Sequence, residues 1–187
     1  YAVGAGVTDF RCGDRVMARG RGCFAEFVLL DPMLATTIPP QFSWEQAAAI
    51  PVSYTTAWEA LVRFGRLMAG ESLLVAGASS GVGVASIQLG NVLGAKVIGI
   101  SGSAAKLDKL RAIGMDAGIC ARGVDFSAQA RAANGGKGVD LAVNLVGGTA
   151  FAACQRSLAN FGRLAIVGYV DGVMKTELDL EATHGKR

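Results

Sequence analysis

Residues 77–83, read Gly77-Ala78-Ser79-Ser80-Gly81-Val82-Gly83, carry the clearest chemistry in the chain. They follow the apolar run Leu73-Leu74-Val75-Ala76 and precede Val84, Ala85, Ile87 and Gln88 at helical spacing. Small residues between a strand and a helix let backbone come close to a pyrophosphate. The unpaired N–H groups and positive dipole end of the helix start then bind its negative charge. Ser79, Ser80, Gly81, Val82 and Gly83 are the expected pyrophosphate contacts, and a bulky side chain at Gly81 or Gly83 would block the approach. The turn departs from a clean GxGxxG. Its weight comes from context, because the preceding strand, following helix and second strand fall where a βαβ unit places them.

The second cue lies about 20 residues past the glycines, where an NAD enzyme places Asp or Glu against the ribose 2′-hydroxyl. Here that position offers Ser101, Gly102, Ser103 and then Lys106, with no carboxylate. Small donors and one cation suit a 2′-phosphate carrying close to two negative charges, so the expected cofactor is NADP(H). Lys106 also reads as an ordinary solvated helix lysine. The missing acid favours the phosphate role.

These residues need elements to hold them. Between residues 1 and 53 short strands and turns dominate: Gly13-Asp14-Arg15-Val16 opens one strand, and Phe24, Glu26, Phe27 and Val28 alternate like a half-buried strand over residues 23–30. Pro39-Pro40 halts regular structure. Ser43 with Gln46 three residues on forms a capping box for a helix starting near Trp44, which Pro51 is expected to end. Ala57, Leu61, Val62 and Phe64 then mark a helix over 55–68 that stops at Gly70. Strands are expected over 72–76, 95–101, 117–120, 139–145 and 162–167, separated by helices over 82–92, 104–113, 126–133 and 151–158. Five strands joined by helical crossovers predict an α/β doubly wound parallel sheet, and strands apolar on both faces suit helices on both sides.

Composition narrows the function classes. Half of the 187 residues are hydrophobic (51%) and 18% are charged, so a packed core is expected rather than disorder. The net charge of +3 is dispersed, with Asp108 interrupting Lys106, Lys109 and Arg111, which argues against a nucleic-acid partner. The most apolar stretch, 72–100, is broken by glycines, Ser79, Ser80, Asn91 and Lys96, so no membrane span is expected. Cys12, Cys23, Cys120 and Cys154 stand apart without a CxxC pair, and no secretory leader is visible. The expected compartment is the reducing cytoplasm.

Taken in order, Gly13-Asp14-Arg15-Val16, Phe24-Ala25-Glu26-Phe27-Val28, Ala47-Ala48-Ala49, Thr56-Ala57, Ala60-Leu61, Gly70-Glu71, the 77–83 turn and Val146-Gly147-Gly148 resemble the medium-chain dehydrogenase/reductase superfamily. The likeness is to its zinc-independent quinone oxidoreductase and enoyl reductase branch. It implies a remnant of a GroES-like all-β catalytic domain over 1–53. It also implies a Rossmann-type NADP-binding domain over 54–187 that lacks its last part, with family members extending beyond both ends. It further implies Thr56 near the nicotinamide, with Asn144, Val146, Gly147, Val167, Gly168 and Tyr169 lining that side of the crevice. Val146 and Val167 read equally as strand core. Where many relatives place a tyrosine over the adenosine end, this chain has Ala121 with Arg122 beside it, and Arg122 either supplies charge to the phosphate or is simply exposed.

Zinc-dependent cousins carry a four-cysteine lobe after the Gly-Asp-Arg-Val strand, whereas here Cys23 stands alone and residues 50–56 contain no cysteine. His184 is the single histidine, so no metal site is expected. The resemblance implies hydride transfer to a quinone or an α,β-unsaturated carbonyl. Two other readings are the enoyl reductase section of a fatty-acid or polyketide synthase and a non-catalytic NADP-binding or structural protein on the same fold. The expected partner is a small-molecule substrate, and a homodimer is compatible with the resemblance. Tyr54 reads as a packing tyrosine or as a proton donor, and no catalytic side chain is assigned.

Overall fold

In the computed structural model, residues 1–184 are described, apart from the side chains of Ala182 and His184. The expectation for His184 therefore lies outside the described residues. The chain divides into two units, Tyr1–Thr55 and Thr56–Arg187.

In the first unit, β1 (Val16–Ala18) pairs antiparallel with β2 (Ala35–Thr37), Met17 opposite Thr36. A single 3-10 turn over Pro32–Leu34 precedes β2, with the Asp31 carboxylate accepting the Met33 N–H at 2.9 Å. The strand expected over 23–30 does not form. Alternation supplies an apolar face but not a ladder partner, and this segment pairs with no other strand among the described residues. Phe24, Phe27 and Leu29 stay exposed.

The capping box is reciprocal: the Ser43 N–H donates to Gln46 Oε1 at 2.9 Å, and the Gln46 N–H donates to Ser43 Oγ at 3.2 Å. It starts α1 (Trp44–Trp58), which runs through Pro51 instead of ending there. Proline removes one donor and crowds the carbonyl one turn back, a cost that packing can offset. Ala47 and Ala57 are buried on either side of it. The helix continues as a π-helical segment over Glu59–Phe64, with Ala60 and Leu61 buried.

In the second unit five parallel strands run in the order β5-β4-β3-β6-β7. They are β3 (Ser72–Ala76), β4 (Lys96–Ser101), β5 (Ala117–Cys120), β6 (Val139–Asn144) and β7 (Leu158–Ile166). The connections are α2 (Gly81–Val92), α3 (Ala104–Arg111), α4 (Ser127–Ala133) and α5 (Gly148–Ser157), and α6 (Leu180–His184) follows β7. Strand periodicity sorts the core into two layers. Leu73 and Val75 pack with Ile87, Leu107 and Leu110 on one face; Leu74 and Ala76 pack with Phe126, Ala130 and Cys154 on the other. Every residue of β3 is buried, as a central strand covered on both sides requires.

Polar locks fix the end of the sheet away from the helix starts. Ser72 donates its N–H and hydroxyl to Asp140 Oδ2 at 2.8 and 2.7 Å, which ties β3 to β6. Arg163 of β7 grips Glu71 with two parallel bonds, Nη1 to Oε1 at 2.8 Å and Nη2 to Oε2 at 2.6 Å. Its Nε also donates to the Gly65 carbonyl at 2.8 Å. Among the described residues no helix is long and apolar enough to cross a membrane.

The strand order reverses between β3 and β6: the chain moves outward through β4 and β5, then crosses back to β6 and β7. In open α/β sheets the crevice beyond the carboxyl ends of the strands at such a switch point receives ligands.

Candidate functional site

The turn from β3 into α2 holds itself open with its own polar groups. Ser80 is the N-cap: its hydroxyl donates to the Gly77 carbonyl at 2.8 Å and accepts the Gly83 N–H at 3.1 Å. The N–H groups of Gly81 and Val82 are in the first turn and have no partner within the helix. A helix start with small flanking residues and free-standing donors can hold a pyrophosphate. Gly83 has a further reason to be glycine, because a Cβ there would lie 2.4 Å from the Gly77 carbonyl oxygen and 2.5 Å from that of Ala78. The helix presses on its own turn at that point.

A cavity of about 500 Å³ opens from this turn across the switch point. Gly77, Ser79 and Ser80 form its β3 side, and Ser79 Oγ lies 3.1 Å from Ser101 Oγ at the end of β4. Beyond Ser101, the wall continues through Gly102, Ser103, Lys106 and Arg122. Arg122 lies over the Gly102 backbone so closely that a Cβ on Gly102 would meet its Nε at 2.5 Å. Lys106 and Arg122 are both exposed, and no carboxylate lines this end. The lining includes a single acid, Asp171, on the opposite side beside Val146, Thr149 and Val170.

The donor set fits a dinucleotide with a 2′-phosphate: a helix start for the pyrophosphate, then hydroxyls and two cations where the adenosine ribose would end. Of the residues expected from sequence, the cavity brings together Ser79, Ser80, Ser101, Gly102, Ser103, Lys106, Arg122 and Val146. Gly81, Val82 and Gly83 stand at the adjoining helix start without lining it. Thr56 lies in α1, partly buried and outside the wall.

Asn144 is wholly buried and builds the turn after β6. Its Oδ1 accepts the N–H groups of Val146 and Gly147 at 3.0 and 3.1 Å, and its Nδ2 donates to the Gly147 carbonyl at 2.8 Å. The Asn144 carbonyl in turn receives the N–H groups of Val167 and Gly168. Gly147, Val167 and Gly168 thus frame the wall from behind, and Tyr169 is half exposed outside it.

Sequence reasoning missed Thr149 and Asp171, which lie 22 residues apart and meet here: Thr149 donates its N–H and its hydroxyl to Asp171 Oδ2 at 2.8 and 2.6 Å. The available signal was topological, since the loops after two adjacent parallel strands must lie side by side. Among the described residues, no three His, Cys, Asp or Glu side chains gather as a metal would require. Cys154 is buried in the core, and burial pushes its thiol up to about 12.

Residues 81–187 match the family model described as zinc-binding dehydrogenase. The phthioceranic/hydroxyphthioceranic acid synthase of Mycobacterium tuberculosis is 36% identical over 180 residues, which are 96% of this chain and 8% of that protein. A mycobacterial protein solved in complex with NADPH superposes with a TM-score of 0.88 at 30% identity, covering 99% of this chain and 58% of that one. The CurK enoyl reductase superposes with a TM-score of 0.84 at 26% identity, covering 100% of this chain and 55% of that one. The chain therefore spans little more than half of these solved structures and less than a tenth of the synthase.

Proposed function

The chain belongs to the zinc-binding dehydrogenase family of the medium-chain dehydrogenase/reductase superfamily, and from that membership we propose that it is the NADP(H)-binding part of a reductase acting on α,β-unsaturated carbonyl compounds, enoyl thioesters foremost. The observation that carries the cofactor is the wall of the cavity. One side of it runs from an open helix start to Lys106 and Arg122 without a carboxylate. The NADPH complex of a structural neighbour and the family together support a nicotinamide cofactor. The acceptor is inferred from the similarity to the phthioceranic/hydroxyphthioceranic acid synthase over 96% of the chain and to the CurK enoyl reductase.

On this reading residues 1–53 belong to a substrate-side domain and residues 54–187 to the nucleotide domain. Ser80 and the N–H groups of Gly81 and Val82 hold the pyrophosphate. Ser101, Ser103, Lys106 and Arg122 hold the 2′-phosphate, with Gly102 leaving room for the Arg122 guanidinium. Bound NADPH supplies the hydride for the electron-poor carbon. The work of this chain is orientation: Leu145, Val146 and Ala150 give the wall an apolar stretch beside the polar pair Thr149 and Asp171.

NADPH oxidation by the intact protein, followed against 2-enoyl thioesters, free enones and quinones, tests the acceptor. Turnover with enoyl thioesters well above that with quinones is expected. Oxidation by quinones alone would contradict the enoyl reading and leave the cofactor site standing.

A further inference from the structure

Gly102 stands where the sheet brings two loop starts together. Ser101 is opposite Cys120 at the last register position of β4 and β5, and the Ala121 N–H donates to the Ser101 carbonyl at 3.0 Å. Gly102 and Arg122 leave this corner, one on each strand. A Cβ built on Gly102 would meet Arg122 Nε at 2.5 Å, Nη2 at 3.1 Å and Cζ at 3.2 Å. The guanidinium thus lies on the bare backbone of Gly102. That backbone is not left-handed, so conformation does not demand a glycine there; the arginine does.

The loop that carries Arg122 is fixed just beyond it. Gly123, at φ +65°, turns the chain, and Phe126 is buried while lining the cavity. Between them Asp125 accepts the Ser127 N–H at 2.9 Å with one oxygen and Arg156 Nε at 3.1 Å with the other. Among the described residues the Arg122 guanidinium itself has no hydrogen bond or ion pair, so its donors are free for a ligand and the Gly102 backbone is the surface it rests on. A long exposed side chain can swing away from an added methyl into solvent, as backbone cannot. A Cβ at residue 102 is therefore accommodated by moving the guanidinium, at little cost to the fold.

We propose that Gly102 is the specificity-determining residue of the 2′-phosphate end: having no side chain, it seats Arg122 over the end of β4. Any larger residue there, charged or not, turns the guanidinium away and loses the preference for NADPH over NADH. This inference rests on the NADP(H) reading and separates size from charge. A carboxylate at this strand end would repel the phosphate directly, whereas an alanine acts only by moving Arg122.

The test is calorimetric titration of the intact protein with NADPH and NADH, in wild type, Gly102→Ala, Arg122→Ala and the two changes combined. Arg122→Ala is expected to raise the Kd for NADPH about fivefold, the scale of one exposed charge-assisted contact. Gly102→Ala should match it within about twofold, with the NADH Kd unmoved and the urea midpoint that of wild type. The combined variant should lose no more than either change alone, because the methyl then has nothing to displace. A Gly102→Ala protein that keeps its NADPH affinity, weakens both nucleotides alike, unfolds at clearly lower urea, or adds its loss to that of Arg122→Ala would overturn the inference and leave the cofactor reading standing. Wild-type protein with no preference for NADPH over NADH would overturn that reading and this inference with it.

Discussion

Gly83 shows how one residue couples the fold to the site. The carbonyl oxygens of Gly77 and Ala78 lie 2.4 and 2.5 Å from where a Cβ would sit, and backbone in a turn cannot retreat as a flexible side chain could. Gly83→Ala should therefore cost on the order of 3 kcal/mol, the upper range for an overpacked site. Gly6→Ala, where nothing lies within 4 Å, should stay within about 0.5 kcal/mol. Urea unfolding of the two variants checks this, and equal midpoints would contradict it. Residue-scale geometry was legible where it was local. Ser80, Gly81 and Gly83 announce a tight strand-to-helix turn because backbone size and the next helix are written within a few positions. Asp171 was not legible, because its meaning depends on Thr149, 22 residues earlier, being brought opposite by the sheet.

At the scale of elements, the strand and helix succession of the second unit follows the sequence closely, because apolar runs, glycine stops and helical spacing alternate without conflict. The failures have separate causes. Residues 23–30 carry the right alternation but find no ladder partner. Pro51 is a local breaker overridden by packing on either side. The pairing of Arg163 with Glu71 belongs to neither local pattern: it ties the last strand to the turn before β3 across 92 residues.

The Arg163 guanidinium holds the Glu71 carboxyl below its ordinary value. A carboxylate with a depressed folded pKa adds stability that is present above the unfolded value and is lost as pH falls through the folded one. The melting temperature of Glu71→Gln should thus lie below wild type at neutral pH, and the gap should close as the pH drops through and below the usual glutamate range. A gap that stays constant with pH would show that the pair contributes through packing alone.

For the molecule as a whole, strand order converts separate motifs into a site. The β5-β4-β3-β6-β7 arrangement puts the ends of β3, β4 and β5 on one side of a crevice and those of β6 and β7 on the other. Cations gather on the first side and the single lining acid on the second. That polarity was half visible in the sequence, as a missing carboxylate after β4; the balancing acid needed the fold. Calorimetric titration of the intact protein with NADPH and NADH, before and after Lys106→Ala and Arg122→Ala together, tests the central claim most directly. The account predicts NADPH tighter than NADH by at least about tenfold in wild type, with the gap largely gone in the double variant and NADH affinity nearly unmoved. Equal affinity for the two nucleotides in wild type, or tighter binding of NADH, would contradict it.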